Sequence, residues 1–156
     1  MQKRTLSTTI QIMMLPLFAV LLTACGSTMS IKNVDFSQPV ETVLVADRDA
    51  NVQDVRGGLS FNLSEVLESE GISKDAFMGT EVRIIRNHQG YYFLAAPGFK
   101  SVYVFETEES ELKLLNKIRV ASQGLQDPAF NQRTPYIQLI DGGTAVSLTK
   151  DSAIQS

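Results

Sequence analysis

Asp47, Asp49 and Asn51 place three oxygen-bearing side chains at alternate positions. That spacing opens a calcium loop, in which positions 1, 3 and 5 supply ligands. The rest of the pattern fails. Val52 stands at the sixth position, where a sharp turn needs glycine, and Gly58 at the twelfth, where a bidentate glutamate belongs. With Asp54 as one further oxygen donor, the three remain metal candidates only. A turn whose Asp and Asn side chains bond their own backbone accounts for them more simply. Glu106, Glu108, Glu109 and Glu111 gather four carboxylates within six residues. Glycoside hydrolysis needs two carboxylates straddling a substrate at a set separation, whereas these crowd one turn between strand-like runs. His88, between Asn87 and Gln89, is the sole imidazole, so a Ser-His-Asp triad would have to use it. The Gly-x-Ser-x-Gly nucleophile motif is missing. Arg56-Gly-Gly-Leu59 has neither the spacing nor the lysine of a phosphate loop. The expectation is therefore a protein without catalytic residues or cofactor, a hydrolase being the remote alternative.

A binding surface is the better candidate. Between Leu112 and Val120, strict alternation puts Leu112, Leu114, Ile118 and Val120 on one face and Lys113, Lys117 and Arg119 on the other, with Leu115 among the latter. Arg83 points outward from a strand whose Val82 and Ile84 point in, and Tyr103 and Phe105 share a face of the strand between. If these faces coincide, Arg83, Lys113, Lys117, Arg119 and Tyr103 form a basic, aromatic-flanked sheet surface suited to an anionic glycan, a lipid headgroup or an acidic partner. The simpler alternative is the solvent face of a half-covered sheet. Residues 121–135 are too long for a minimal hairpin. They form either a partner-binding loop anchored by Phe130 or a crossover that closes the sheet.

The elements that must position these residues are mostly strands. Val43 to Val45 lie in a first strand, and 47–58 reads as a polar loop. Asn62-Leu-Ser-Glu65 resembles a capping box opening a helix near 63–70, with Leu63, Val66 and Leu67 on one face and Gly71 as its stop. From Thr80 onward, strand-like runs alternate with turns at spacings near ten residues, which predicts an antiparallel meander. Asp141-Gly-Gly143 is the strongest hairpin signal. The fold expected is mainly β: a small antiparallel meander, curled as a sandwich or partial barrel, with one short helix. A propeller needs more repeats than the length allows.

The first 25 residues read differently. Lys3 and Arg4 precede an apolar run from Ile12 to Leu22, broken only by Pro16. Eleven residues make about 16 Å of helix, too short for a bilayer core of about 30 Å, but suited to a signal peptide. The run ends in Leu22-Thr23-Ala24-Cys25-Gly26. This closely resembles the bacterial lipobox. The resemblance implies cleavage between Ala24 and Cys25, a diacylglyceryl group on the Cys25 sulfur and acylation (such as palmitate) of the new amino group. Several acyl chains together hold a protein stably on a membrane. By the same resemblance, Gly26 rather than Asp after the Cys implies sorting to the outer membrane.

The organisation expected is a signal peptide at 1–24, a lipidated tether at 25–39, one β-rich domain at 40–150 and a frayed tail at 151–156. Cleavage leaves 132 of the 156 residues, with 12 basic and 17 acidic side chains and a charge of −5. That balance argues against a nucleic-acid partner. The sole Cys is spent on the anchor, so the domain must stand on its core without disulfides. The functional expectation is a non-enzymatic outer-membrane lipoprotein, held to the membrane by its lipid, acting as accessory or adaptor to a cell-envelope protein partner. The alternative is a binder of anionic glycan.

Overall fold

In the computed structural model the described residues are 36–109 and 111–154, all within the unit Val34–Ser156. The expected signal segment 1–24, Cys25 and the expected tether as far as residue 35 lie outside them.

The described residues are mainly β, 48% strand against 9% helix. In order come β1 (Thr42–Val45), β2 (Asn51–Asp54), β3 (Leu59–Asn62), α1 (Ser64–Glu70), α2 (Lys74–Phe77), β4 (Glu81–Arg86), β5 (Tyr92–Ala95), β6 (Ser101–Glu108) and β7 (Glu111–Arg119). After a crossover follow β8 (Ala129–Arg133), β9 (Tyr136–Asp141), β10 (Thr144–Leu148) and β11 (Ala153–Ile154). The expected meander is the five-stranded sheet β1-β4-β5-β6-β7, antiparallel throughout. A second sheet, β11-β10-β9-β8, is also a meander, and β2-β3 stand as a separate hairpin.

The large sheet is covered on both faces. Leu44, Val82, Ile84, Leu94 and Tyr103 follow one face through the register, and Ile85, Phe93, Val102, Val104 and Ile118 the other; all are buried. The Tyr103 face meets α1, because the Tyr103 hydroxyl donates to Glu70 at 2.7 Å. The Phe93 face meets the small sheet. There the Phe130 amide of β8 donates to Glu41 beside β1, and Asn116 of β7 donates to the carbonyls of Lys150 and Asp151. The result is a sandwich with a helix on its outer side, and among the described residues no barrel closes. Double coverage explains the near-continuous apolar runs of β5 and of Val102 to Phe105 in β6, which one-sided sheets do not show.

Local chemistry sets the element ends. Leu63, Val66 and Leu67 bury one face of α1 as their spacing predicts. Gly71, at φ +74°, ends the helix in the left-handed conformation, with its amide and that of Ile72 closing on Glu68 and Leu67. The capping box is not formed. Leu63 occupies the cap position, and Asn62 instead accepts the Ser64 amide at 2.9 Å together with the Ser64 hydroxyl. Gly142 and Gly143, both at positive φ, make the two-residue turn between β9 and β10.

Three segments differ from expectation, and a fourth takes one of its two expected forms. The polar loop 47–58 contains β2, whose Val52 is its buried anchor while its neighbours face outward. Residues 121–135 are a crossover that ends in β8, with Leu125 and Phe130 turned into the core. Phe130 is therefore not a partner anchor. The tail is not frayed from residue 151. Thr149 accepts the Asp151 and Ser152 amides, folding Ala153 back against Leu148 as β11. The domain also starts before residue 40, since Phe36 and Gln38 donate to His88 and Arg86 and extend the β1–β4 alignment.

The crossover is fixed at Gly124. Its φ is +104°, and a Cβ there would lie 2.8 Å from the Gly98 carbonyl oxygen. On either side of that approach Gly98 donates to Leu125 and Leu125 to Phe99, each at 2.8 Å. Gly124→Ala should therefore destabilise the fold by about 2 kcal/mol, read as a lower urea midpoint. An unchanged midpoint would contradict this close approach.

Candidate functional site

The basic face expected from alternation does not assemble, because β7 contains a bulge. Phe105 pairs with Leu114 but Val104 pairs with Asn116, so Leu115 is the extra residue. An inserted residue reverses the alternation beyond it. Lys117 and Arg119 consequently share the Tyr103 face with Leu112 and Leu114, while Lys113 lies on the opposite face with Glu106. Arg83, opposite Ala95, is also on the opposite face. The five proposed binding residues thus split between the two faces.

Most of their charge is also engaged. Arg83 bonds Glu41 and Glu81, each at 2.8 Å, and Lys113 bonds Glu108 at 2.7 Å. Lys117 lies 3.1 Å from Glu70 and over the Tyr103 ring. Arg119 makes no ion pair among the described residues.

The reversal creates something else. Leu112 and Leu114 turn toward α1, and with Phe61, Val66 and Phe105 they wall a groove of about 280 Å³ between α1 and the β6–β7 hairpin. Asn62 and Glu65 stand along its helix side. Past Phe61 and Leu112 it opens into a second depression lined by Gly57, Tyr92 and Glu111. Glu65 and Glu111 make no ion pair among the described residues, so the groove is apolar within and acidic at its edge. Leu114 is half exposed, at 50%.

At the inner end of the groove lies a polar cluster. Glu70, with its side chain 1% exposed, accepts from the Lys100 amide at 2.8 Å and the Tyr103 hydroxyl at 2.7 Å. Ser69 and Tyr103 hydroxyls are 3.1 Å apart, and Lys117 donates to both the carbonyl and the hydroxyl of Ser69. Serine beside lysine and tyrosine is the raw material of an activated nucleophile. The electrostatics work against that use. Burial opposes the charge on Lys117, but hydrogen bonds with Tyr103 and Glu70, and the Glu70 carboxylate itself, outweigh it and raise its pKa above 10.5. A lysine held as ammonium does not take the Ser69 proton. The cluster instead ties α1 to β6 and β7 and gives the groove a rigid end.

The other candidates are local. Asp47 accepts the Asp49 and Asn51 amides and the Asn51 side chain, at 2.9, 2.8 and 3.1 Å. The Asn51 amide, then its side chain, hold the Asp47 carboxyl below its ordinary pKa against burial. Asn51 in turn accepts from Asn62 at 2.7 Å. These oxygens close the β1–β2 turn, and among the described residues no cluster of three or more metal-ligating side chains forms. The acidic residues 106–111 surround the β6–β7 turn, and His88 lies in the β4–β5 turn, where Asn87 accepts the Gln89 and Tyr91 amides.

Sequence reasoning missed Glu70. It stands three residues after Leu67 and four after Val66, on the apolar face of α1, and that spacing was the available signal. The chain matches no protein-family model, no curated protein and no solved structure.

Proposed function

We propose that this chain is a non-enzymatic, lipid-anchored accessory protein of the bacterial outer membrane, an adaptor that holds an envelope partner by an apolar, basic segment. Its lipobox, Leu22-Thr23-Ala24-Cys25, supports the anchor. The observation that carries the adaptor role is the groove beside α1, with Leu112, Leu114, Phe61 and Phe105 within and, at its edge, the carboxylates of Glu65 and Glu111, which make no ion pair among the described residues. Apolar walls favour an apolar occupant. The acidic edge and a mature charge of −5 favour a basic one. The anionic-glycan reading lacks its support, since Arg83, Lys113 and Lys117 are ion-paired and divided between two faces.

Two measurements test this. Cys25→Ser should abolish acyl labelling and leave the precursor uncleaved, and normal maturation would remove the anchor. Mild crosslinking in cells, detergent extraction and mass spectrometry of the tagged protein should recover a near-stoichiometric envelope protein. Replacing both Leu112 and Leu114 with Ser should reduce that recovery at least about tenfold. Undiminished recovery, or recovery of glycan alone, would sink the groove as the docking site.

A further inference from the structure

We infer that the β1 edge of the large sheet is the membrane-facing side of the domain, resting in the lipid headgroup layer. The chain enters the described fold along this edge. Phe36, Val40, Val43 and Val45 follow one another on it, and Met78 adjoins its far end, where Gly79 donates to Ala46 at 2.9 Å. All five are exposed, from 42% for Val43 to 72% for Val40. They are half of the ten large hydrophobic side chains exposed among the described residues, so this edge concentrates apolar surface rather than sharing in a general scatter.

Charge points the same way. Residues 36–46 contain one charged side chain, Glu41. It is 12% exposed and turned inward to Arg83 and the Phe130 amide. The strip's own side chains thus add no exposed charge to a domain that carries −5 overall. The neighbouring Glu81, opposite Val45, is offset by its ion pair with Arg83, and Arg86, 4.8 Å over the Phe36 ring, is a cation that anionic headgroups attract.

The position of the strip names its occupant. Phe36 is 11 residues after Cys25. Eleven residues reach at most about 40 Å even fully extended, and an anchored Cys25 brings the bilayer to the edge at which the chain enters the described fold. The depth is bounded by the backbone. β1 is the outermost strand of its sheet, and its outer N–H and C=O groups require water, which the hydrocarbon core does not offer. Headgroup depth satisfies both the apolar side chains and the open strand edge.

The inference rests on the lipid anchor of the proposed function, and the test separates the two. The only native Cys is Cys25, so in the acylated full chain Val43→Cys introduces a unique thiol for an environment-sensitive nitrobenzoxadiazole label. Val40→Cys provides a second position on the same strip. Leu114→Cys is the control on β7, the opposite edge of the sheet, about 19 Å away at roughly 4.8 Å per strand. Each labelled protein is reconstituted in vesicles of phosphatidylethanolamine and phosphatidylglycerol that carry headgroup nitroxides. Quenching at positions 43 and 40 should exceed that at 114 at least threefold. Protein that floats with the vesicles but quenches equally at both edges, or more at 114, overturns the inference and leaves the anchor standing. A blue-shifted but unquenched label at 43 means that protein, a second copy or a partner, covers the edge, and this also overturns it. Protein that neither floats nor takes acyl label overturns the anchor and the inference together.

Discussion

Glu70→Ala should lower the unfolding free energy by about 3 kcal/mol, the scale of two buried donors left without their acceptor. The loss comes from what stays behind. The Lys100 amide and the Tyr103 hydroxyl each lose an acceptor at a site where Glu70 is 1% exposed. A buried donor without a partner costs about 1–3 kcal/mol. Lys117 contributes little, because its side chain is 38% exposed and can turn to water. Glu70→Gln keeps the shape and loses less, but it separates charge from volume. Burial works against ionisation of Glu70, yet the Lys100 amide, the Tyr103 hydroxyl and Lys117 hold its carboxyl below the ordinary 4.5. A carboxyl depressed in the folded state stabilises fully above its unfolded pKa and loses that contribution as pH falls through the folded value. Wild-type stability should therefore decline on acidification below about pH 4.5, and Glu70→Gln should lack that part of the decline. Urea unfolding between pH 7 and pH 3 measures both, and equal slopes in the two proteins would mean that Glu70 is not ionised in the fold.

What the sequence reveals here depends on whether a strand is buried and uninterrupted. β4 to β7 were legible as a meander because their apolar residues recur between clear turns. β2 was not, since a hairpin strand that buries only Val52 looks like loop. β8 lay hidden between Pro128 and Pro135, and its inward Phe130 resembled an exposed anchor. The candidate site failed for a sharper reason. Alternation sorts side chains to faces only while the ladder is regular. One extra residue at Leu115 carried Lys113 away from Lys117 and brought Leu112 and Leu114 into a groove. The mark of that bulge is the adjacent apolar pair Leu114-Leu115, where a half-covered strand should alternate. Partners chosen by folding, such as Glu41 for Arg83 across 42 residues, leave no such mark.

Phe99→Ala should destabilise the domain by about 4 kcal/mol, near the upper range for a buried aromatic, whereas Phe99→Leu should lose about 1.5 kcal/mol because most of the volume remains. Phe99 is fully buried where three parts of the fold meet. It stacks on Phe77 of α2 at 5.3 Å and meets Tyr103 of β6 edge-on at 5.9 Å. Its carbonyl accepts from Leu125, which fastens the crossover. Removing the ring opens a void that α2, β6 and the crossover cannot fill together, because each is held by backbone hydrogen bonds elsewhere. Tyr103 is the residue that both large effects share, packed by Phe99 on its ring and held by Glu70 at its hydroxyl. A Tyr103 freed by either change has already lost much of what the other would remove. The double variant Glu70→Ala/Phe99→Ala should therefore lose at least about 1 kcal/mol less than the sum of the single losses. Strict additivity in urea unfolding would show that the polar cluster and the aromatic cluster stabilise the fold independently, with Tyr103 transmitting nothing between them.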